Sequence, residues 1–276
     1  MADRAVRSCV TVAPVPAAGP GPWIFRDPPE ISFARAAAHG FDAVELFTAS
    51  GDALDPDAVA ALAERHGLAV AAVGTGAGKV LHGLTLTHPD AAVRRRAVDF
   101  IGEMIDFGAR LGAPAIVGSM QGRPEEGVER GRALEWLGEG LRTLGGWAAD
   151  RGVRLLLEPL NRYESALLHR LGEAASFLRS ADLGSVSLLA DLFHMNIEEA
   201  SIEGALRESG NLVAHLHFAD THRGPAGTGH LDWGSVVRAL REIGYRGYAS
   251  AEAFPWPDPE TAAAQTMKAY RKFFAG

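Results

Sequence analysis

The sequence is poor in cysteine, in long apolar runs and in positive charge. Cys9 is the only cysteine among 276 residues, so no internal disulfide can form and a reducing compartment suits the chain. No apolar run approaches the roughly 18 residues needed to span a bilayer. Lys and Arg number 27 against 34 Asp and Glu, a net charge of −7, which removes the usual electrostatic reason to bind nucleic acid. The opening residues scatter charge through a short apolar stretch and lack the block layout of a signal peptide. No Pro/Ser-rich linker or low-complexity tract divides the chain. The expectation is one soluble, cytoplasmic domain over 1–276, with neither a membrane nor a nucleic acid as partner.

What the chain does have is glycine, 32 of them, at informative places. Glycine just past a helix adopts a left-handed backbone that other residues resist. Gly40, Gly67, Gly112, Gly152, Gly184, Gly210 and Gly244 each follow an Ala-, Leu- or charge-rich segment and precede a short apolar one. Each reads as helix, stop, strand. Ser8 to Ala13 adds a strand at the start, and a helix near Pro259–Phe274 closes the chain. Asp55 before Pro56 reads as a helix cap with proline in the first turn, Thr87-His88-Pro89-Asp90 repeats that pattern, and Asp232 before Trp233 reads as another capped start. Eight strands alternating with eight helices predict a parallel sheet, and at this length an α/β fold of the (β/α)8 TIM-barrel kind. An open doubly wound sheet is the rival. The prolines in Ala17-Ala18-Gly19-Pro20-Gly21-Pro22 spoil the glycine-rich phosphate turn it would need.

In such barrels the chemistry sits at the C-terminal strand ends. The fifth predicted strand ends at Glu158, which Pro159 keeps out of helical geometry. The sixth ends at Asp191, the seventh at His217 and the eighth at Glu252. Their spacings of 33, 26 and 35 residues each match one βα unit. One glutamate at a strand end is commonly a solvated loop residue; four in register predict convergence on one rim. Three carboxylates brought together repel, and a divalent cation removes that cost. Oxygen ligands with one imidazole suit Mn²⁺, Co²⁺ or Mg²⁺ rather than structural zinc. His215 shares the parity of His217 and is expected to be buried and hydrogen-bonded. His222 and His230 read as exposed loop residues, and His39, His66 and His169 as helical surface residues. Asp220 reads equally as a partner of the site or as a turn residue.

The segments Glu158-Pro159-Leu160-Asn161-Arg162-Tyr163-Glu164 and Asp191-Leu192-Phe193-His194-Met195-Asn196 carry a resemblance. So do His215-Leu216-His217-Phe218, Gly227-Thr228-Gly229-His230-Leu231-Asp232-Trp233 and Glu252-Ala253-Phe254. Together they resemble the ketose 3-epimerases of the xylose isomerase-like sugar isomerase/epimerase barrels. The match is strong from about residue 150 to 255 and continues more weakly upstream. There, Gly74-Thr75-Gly76 and Gly83 to Pro89 look like a branch acting on 5-keto-L-gluconate.

The resemblance implies a cation, Mn²⁺ first, held by Glu158, Asp191, His217 and Glu252. It implies Glu158 and Glu252 as the proton-transfer pair, with Glu164, His194 and Arg223 touching a small sugar. It also implies a homodimer or homotetramer. Trp136, Trp147, Phe273 and Phe274 are candidates for an interface or for helix packing, and Phe254-Pro255-Trp256-Pro257 for a cover over the site. An aldose–ketose isomerase using the same cation remains the nearest alternative. A non-catalytic sugar-binding barrel is the alternative of a different class.

Overall fold

The computed structural model describes residues 6–124 and 127–274. In chain order its elements are β1 (Arg7–Val12), α1 (Pro29–His39), β2 (Ala43–Phe47), α2 (Pro56–His66), β3 (Ala69–Gly74), α3 (Ala77–His82), α4 (Ala91–Arg110) and β4 (Ala115–Val117). There follow α5 (Arg130–Asp150), β5 (Leu155–Leu157), α6 (Leu171–Ser180), β6 (Val186–Asp191), α7 (Leu192–Glu198), α8 (Ile202–Ser209), β7 (Val213–His217), α9 (Trp233–Glu242), β8 (Tyr248–Ala251) and α10 (Pro259–Phe274). The strands form one closed parallel barrel in sequence order. Arg7 opposite Tyr248 and Val10 opposite Ala251 close β1 on β8. The predicted (β/α)8 architecture is therefore observed.

The helix stops behave as the glycine pattern predicts, with two exceptions, one of them Gly210, whose ψ of −129° leaves the left-handed region and which opens a short 3-10 turn before β7. Six of the seven glycines have positive φ; Gly184 does not, and Asp182 takes the left-handed position at φ 52° instead. An Asp tolerates that backbone better than most residues, so the sequence signal there misplaces the turn by two positions. Asp55, Asp90 and Asp232 cap α2, α4 and α9 by accepting from Asp57 N, Ala92 N and Ser235 N. The described residues hold ten α-helices rather than eight, besides three short 3-10 turns. The additional two are short: α3 follows β3 and α7 follows β6 without a break. Both stand on the rim where the strands end. His169 lies ahead of α6, not inside a helix, and its Nδ1 is 2.9 Å from the Leu160 carbonyl oxygen.

Side chains alternate between the helix layer and the lumen. The inward set includes Ala72, Ile116, Leu156 and Leu189, and, on another side, Cys9, Ala43 and Ala71, the consecutive Ala71 and Ala72 falling at the register shift of β3 against β2. The much larger outer core packs helices on strands. Phe273 stacks on Trp233 at 5.4 Å and Phe274 meets Phe218 edge-on at 5.5 Å. Trp147 lies against α4, its indole N–H donating to Asp106 Oδ1 at 2.8 Å. These three aromatics thus pack within the chain. No helix among the described residues is long and apolar enough to cross a membrane.

Trp147 fits only because residue 102 is glycine. A Cβ there would sit 2.5 Å from the indole ring. Gly102→Ala gains about 1 kcal/mol of helix propensity but overpacks at a cost of about 1–3 kcal/mol. Urea unfolding is expected to show a net loss of about 1 kcal/mol, not the gain an exposed helix glycine would give.

Candidate active site and cation centre

Glu158, Asp191, His217 and Glu252 meet at the C-terminal mouth. Each offers a ligand atom, and the four atoms lie within 4.8 Å of one another. His217 Nδ1 is 3.3 Å from Glu158 Oε1, 3.3 Å from Asp191 Oδ2 and 3.5 Å from Glu252 Oε2. All four residues are buried.

Local chain chemistry puts each group there. Asp191 ends β6 and caps α7: its Oδ1 accepts from Phe193 N at 2.8 Å and His194 N at 3.4 Å, leaving Oδ2 for the cluster. The pairing of Asp191 with His217 and of His217 with Ser250 sets these strand ends at one level. Glu158 prolongs β5, its N–H donating to the Val117 carbonyl at 3.0 Å, and Gln121 Nε2 donates to the Glu158 carbonyl at 3.0 Å. Gly118 leaves the space its carboxylate fills, since a Cβ there would lie 2.3 Å from Glu158 Oε2.

The other predicted residues border this centre. Arg223 takes a left-handed φ of 60° and donates to Glu252 Oε2 at 2.5 Å and to Glu164 Oε1 at 3.2 Å. Glu164 also accepts from Asn161 Nδ2 at 3.1 Å. The Nδ1 of His194 faces two donors of Asn161, the backbone N–H at 3.2 Å and Nδ2 at 2.7 Å. That assigns the imidazole proton to Nε2, which points toward Asp191 Oδ2 at 3.5 Å.

Charge is unevenly held. Burial works to raise Asp191, but His194, His217 and Arg223 outweigh it and hold the carboxyl far below the usual range. Burial, joined by the charges of Glu158 and Asp191, pushes Glu252 up against the opposing pull of Arg223 and His217. Burial would depress His217, yet Glu45 and Glu252 hold it well above the ordinary imidazole value. Glu158 Oε1 and His194 Nε2 are buried without a hydrogen-bond partner. Three carboxylates, one imidazole and an orphaned carboxylate oxygen fit a hard divalent cation.

A cavity of about 230 Å³ opens over the centre. Glu158, Glu164, His217, Arg223 and Glu252 form its polar side, and Val15, Pro22, Trp23, Phe47 and Val80 its apolar side. Phe47 occupies the space above residue 74, where a Cβ would come within 2.2 Å of its ring. Trp23 and Phe47 replace the expected cover. Phe254 and Trp256 stack on each other at 4.7 Å, Trp256 half-exposed, and neither borders the cavity. The composition of the 13–23 segment hides this wall, because its prolines and glycines read only as a loop.

His215 is buried, as expected, with Nε2 at 2.5 Å from Glu45 Oε2. His222 and His230 are exposed. Glu45 was not anticipated. Its only sequence signal is a charge inside the apolar strand Ala43-Val44-Glu45-Leu46-Phe47.

The model of the xylose isomerase-like TIM barrel family matches residues 33–273. The chain belongs to that family. A probable ketose 3-epimerase from Synechocystis sp. is 29% identical, over 84% of this chain and 81% of its own. A D-psicose 3-epimerase from Agrobacterium fabrum is 31% identical over 61% of this chain, a span of 60% of that relative. Among solved structures, a D-psicose 3-epimerase in the presence of D-fructose superposes with a TM-score of 0.80 at 22% identity, covering 98% of this chain and 100% of that one, which bears on the fold alone. The apo 3-keto-D-glucoside 4-epimerase from E. coli gives 0.76 at 26% identity, over 88% and 94% of the two chains.

Asp220 organises the loop that carries Arg223. Fully buried, it accepts from Thr221 N, Gly227 N, Leu231 N and Trp233 Nε1 at 2.8–3.3 Å. Burial would raise its pKa, but these backbone donors outweigh it and lower it. Its contribution is therefore complete above the unfolded aspartate value of about 3.9 and is lost as pH falls through the lower folded value. Asp220→Asn is expected to destabilise by about 1–3 kcal/mol at neutral pH. The gap from the parent in denaturant melts should stay flat above that value and narrow below it.

Proposed function

We propose that the chain is a metal-dependent ketose 3-epimerase, inverting the carbon beside the carbonyl of a free keto-sugar or keto-sugar acid. The observation that carries this reading is the pair Glu158 and Glu252, on strand ends separated by β6 and β7, both bordering one cavity and one cation-competent cluster. A binding module has no need of two carboxylates flanking such a centre. The named epimerase relatives support the reaction class.

Inversion beside a carbonyl requires a proton to leave one face and another to arrive on the opposite face. Glu158 and Glu252 take these two roles. The two carboxylates border the cavity from strand ends two strands apart, which suits proton transfer on opposite faces. Glu158, Asp191, His217 and Glu252 would hold a divalent cation, Mn²⁺ in preference to Co²⁺ or Mg²⁺. Bound there, it supplies Lewis-acid stabilisation of the negative charge on the carbonyl and hydroxyl oxygens of the enediolate. Arg223 borders the cavity with its guanidinium and can donate to a sugar oxygen, while His194, buried just behind the cavity wall, turns Nε2–H toward Asp191 and the edge of the cluster, its route to a sugar oxygen. Glu164 keeps Arg223 in place and accepts from a sugar hydroxyl. The wall of Trp23, Phe47 and Val80 excludes water from the reacting side.

Glu158→Gln and Glu252→Gln should each lower epimerisation by at least about 1,000-fold while circular dichroism stays parental. In D₂O the parent should place deuterium on the carbon beside the ketose carbonyl, followed by NMR over a panel of ketohexoses, ketopentoses and keto-acids. Deuterium at C1 with aldose formation would instead establish the isomerase alternative.

Removal of divalent ions by EDTA should abolish turnover, and Mn²⁺ or Co²⁺ should restore it. Full activity in protein shown metal-free by elemental analysis would remove the cation from the reaction.

A further inference from the structure

Among the described residues, Glu45 is the one carboxylate in the barrel lumen that the proposed reaction leaves without a role. It lies on β2, is fully buried, and reaches across the lumen to β7. Its Oε1 is 3.0 Å from His217 Nε2 and its Oε2 is 2.5 Å from His215 Nε2. Both oxygens are thus engaged by imidazole nitrogens. His217 in turn presents its other nitrogen, Nδ1, to Glu158, Asp191 and Glu252.

The spacing tells the two clusters apart. Ligands sharing a small divalent ion at about 2.0–2.2 Å stand roughly 3 Å or more from one another. The 3.3–3.5 Å contacts around His217 Nδ1 leave that room. The 2.5 Å contact of Glu45 with His215 does not, and its 3.0 Å contact uses His217 Nε2, the nitrogen turned away from that cluster; both are within direct hydrogen-bond distance. A buried ionised carboxylate is costly unless donors satisfy it.

We infer that Glu45, braced by His215, is a positioning residue that turns the imidazole of His217 so that Nδ1 faces the cation and strengthens it as a ligand. This rests on the reading that Glu158, Asp191, His217 and Glu252 hold a divalent ion. Glu45 accepts the Nε2–H of His217 and so fixes both the ring orientation and the nitrogen left for the ion. His215 holds the second carboxylate oxygen, so Glu45 cannot swing away. The register Thr11 opposite Glu45 and the hydrogen bond from Thr11 Oγ1 to the Ala251 carbonyl at 2.9 Å tie β2 to the strand that carries Glu252.

The test is Mn²⁺ affinity of the full chain, read by competition with a chelating indicator dye. Alongside it, the melting temperature is measured in EDTA. Glu45→Gln, which exchanges one acceptor oxygen for a donor, is expected to weaken Mn²⁺ binding about 10–100-fold. His215→Gln, which keeps a donor at the Nε2 position, is expected to bind within about threefold of the parent, and His215→Leu to lose most of what Glu45→Gln loses. A Glu45 that merely stabilised the fold would lower the EDTA melting temperature and leave the affinity of the folded protein unchanged; that result overturns the inference. If Glu45→Gln does not fold, equal Mn²⁺ affinity in His215→Leu and the parent overturns it as well. Failure of the parent itself to bind Mn²⁺ would instead overturn the underlying cation reading, and this inference with it.

Discussion

Three carboxylates in a buried lumen form an arrangement that electrostatics opposes. Each buried ion costs several kcal/mol, and Glu158, Asp191 and Glu252 share a space only a few ångströms across. The surroundings are built to bear that cost. Arg223 reaches Glu252 and comes within 3.9 Å of Asp191. The N-terminus of α7 receives Asp191 Oδ1. His217 stands between the three carboxylates and a fourth, Glu45. What still lacks a partner, Glu158 Oε1, points to the charge a divalent ion would bring.

That constraint accounts for how little freedom the neighbouring backbone has. Arg223 adopts a positive φ that a non-glycine residue accepts only when its surroundings hold it. Asp220 supplies the hold, gathering four donors from the loop on either side of Arg223. Arg223 then repays with its carbonyl, which accepts from Phe254 N at 2.8 Å and fixes the segment just past Glu252. Loop geometry, guanidinium position and the aim of Glu252 are one coupled arrangement.

The barrel and the four strand-end residues of the cluster were legible because both obey a period. Strand ends recur at one βα unit, and a polar residue there interrupts an apolar run. Glu158, Asp191, His217 and Glu252 meet that criterion. Glu45 does not: it sits mid-strand, and its partners His215 and His217 are 170 and 172 residues away. Only closure of the barrel brings β2 within reach of β7. The Asp182 turn and the short α3 and α7 escaped for a different reason. They are fixed by local capping, where the side chain of Asp191 does two jobs that no periodic pattern separates. The placement of Trp23 escaped because a loop's path depends on what it packs against, here Phe47 at 5.7 Å.

The same geometry divides the work of the cavity. Every charged group on it comes from β5 onward: Glu158, Glu164, His217, Arg223 and Glu252. The first three strands and their loops contribute Val15, Trp23, Phe47, Thr48, Thr75 and Val80, none of them charged. Chemistry demands fixed donors at fixed positions, so its residues fall on strand ends and the capped segments next to them. Recognition of the rest of a sugar demands only shape and an occasional hydroxyl, so it can rest on loops free to vary. Under the proposed function, the groups suited to chemistry thus come from the second half of the cavity wall, and the first half supplies most of its apolar shape.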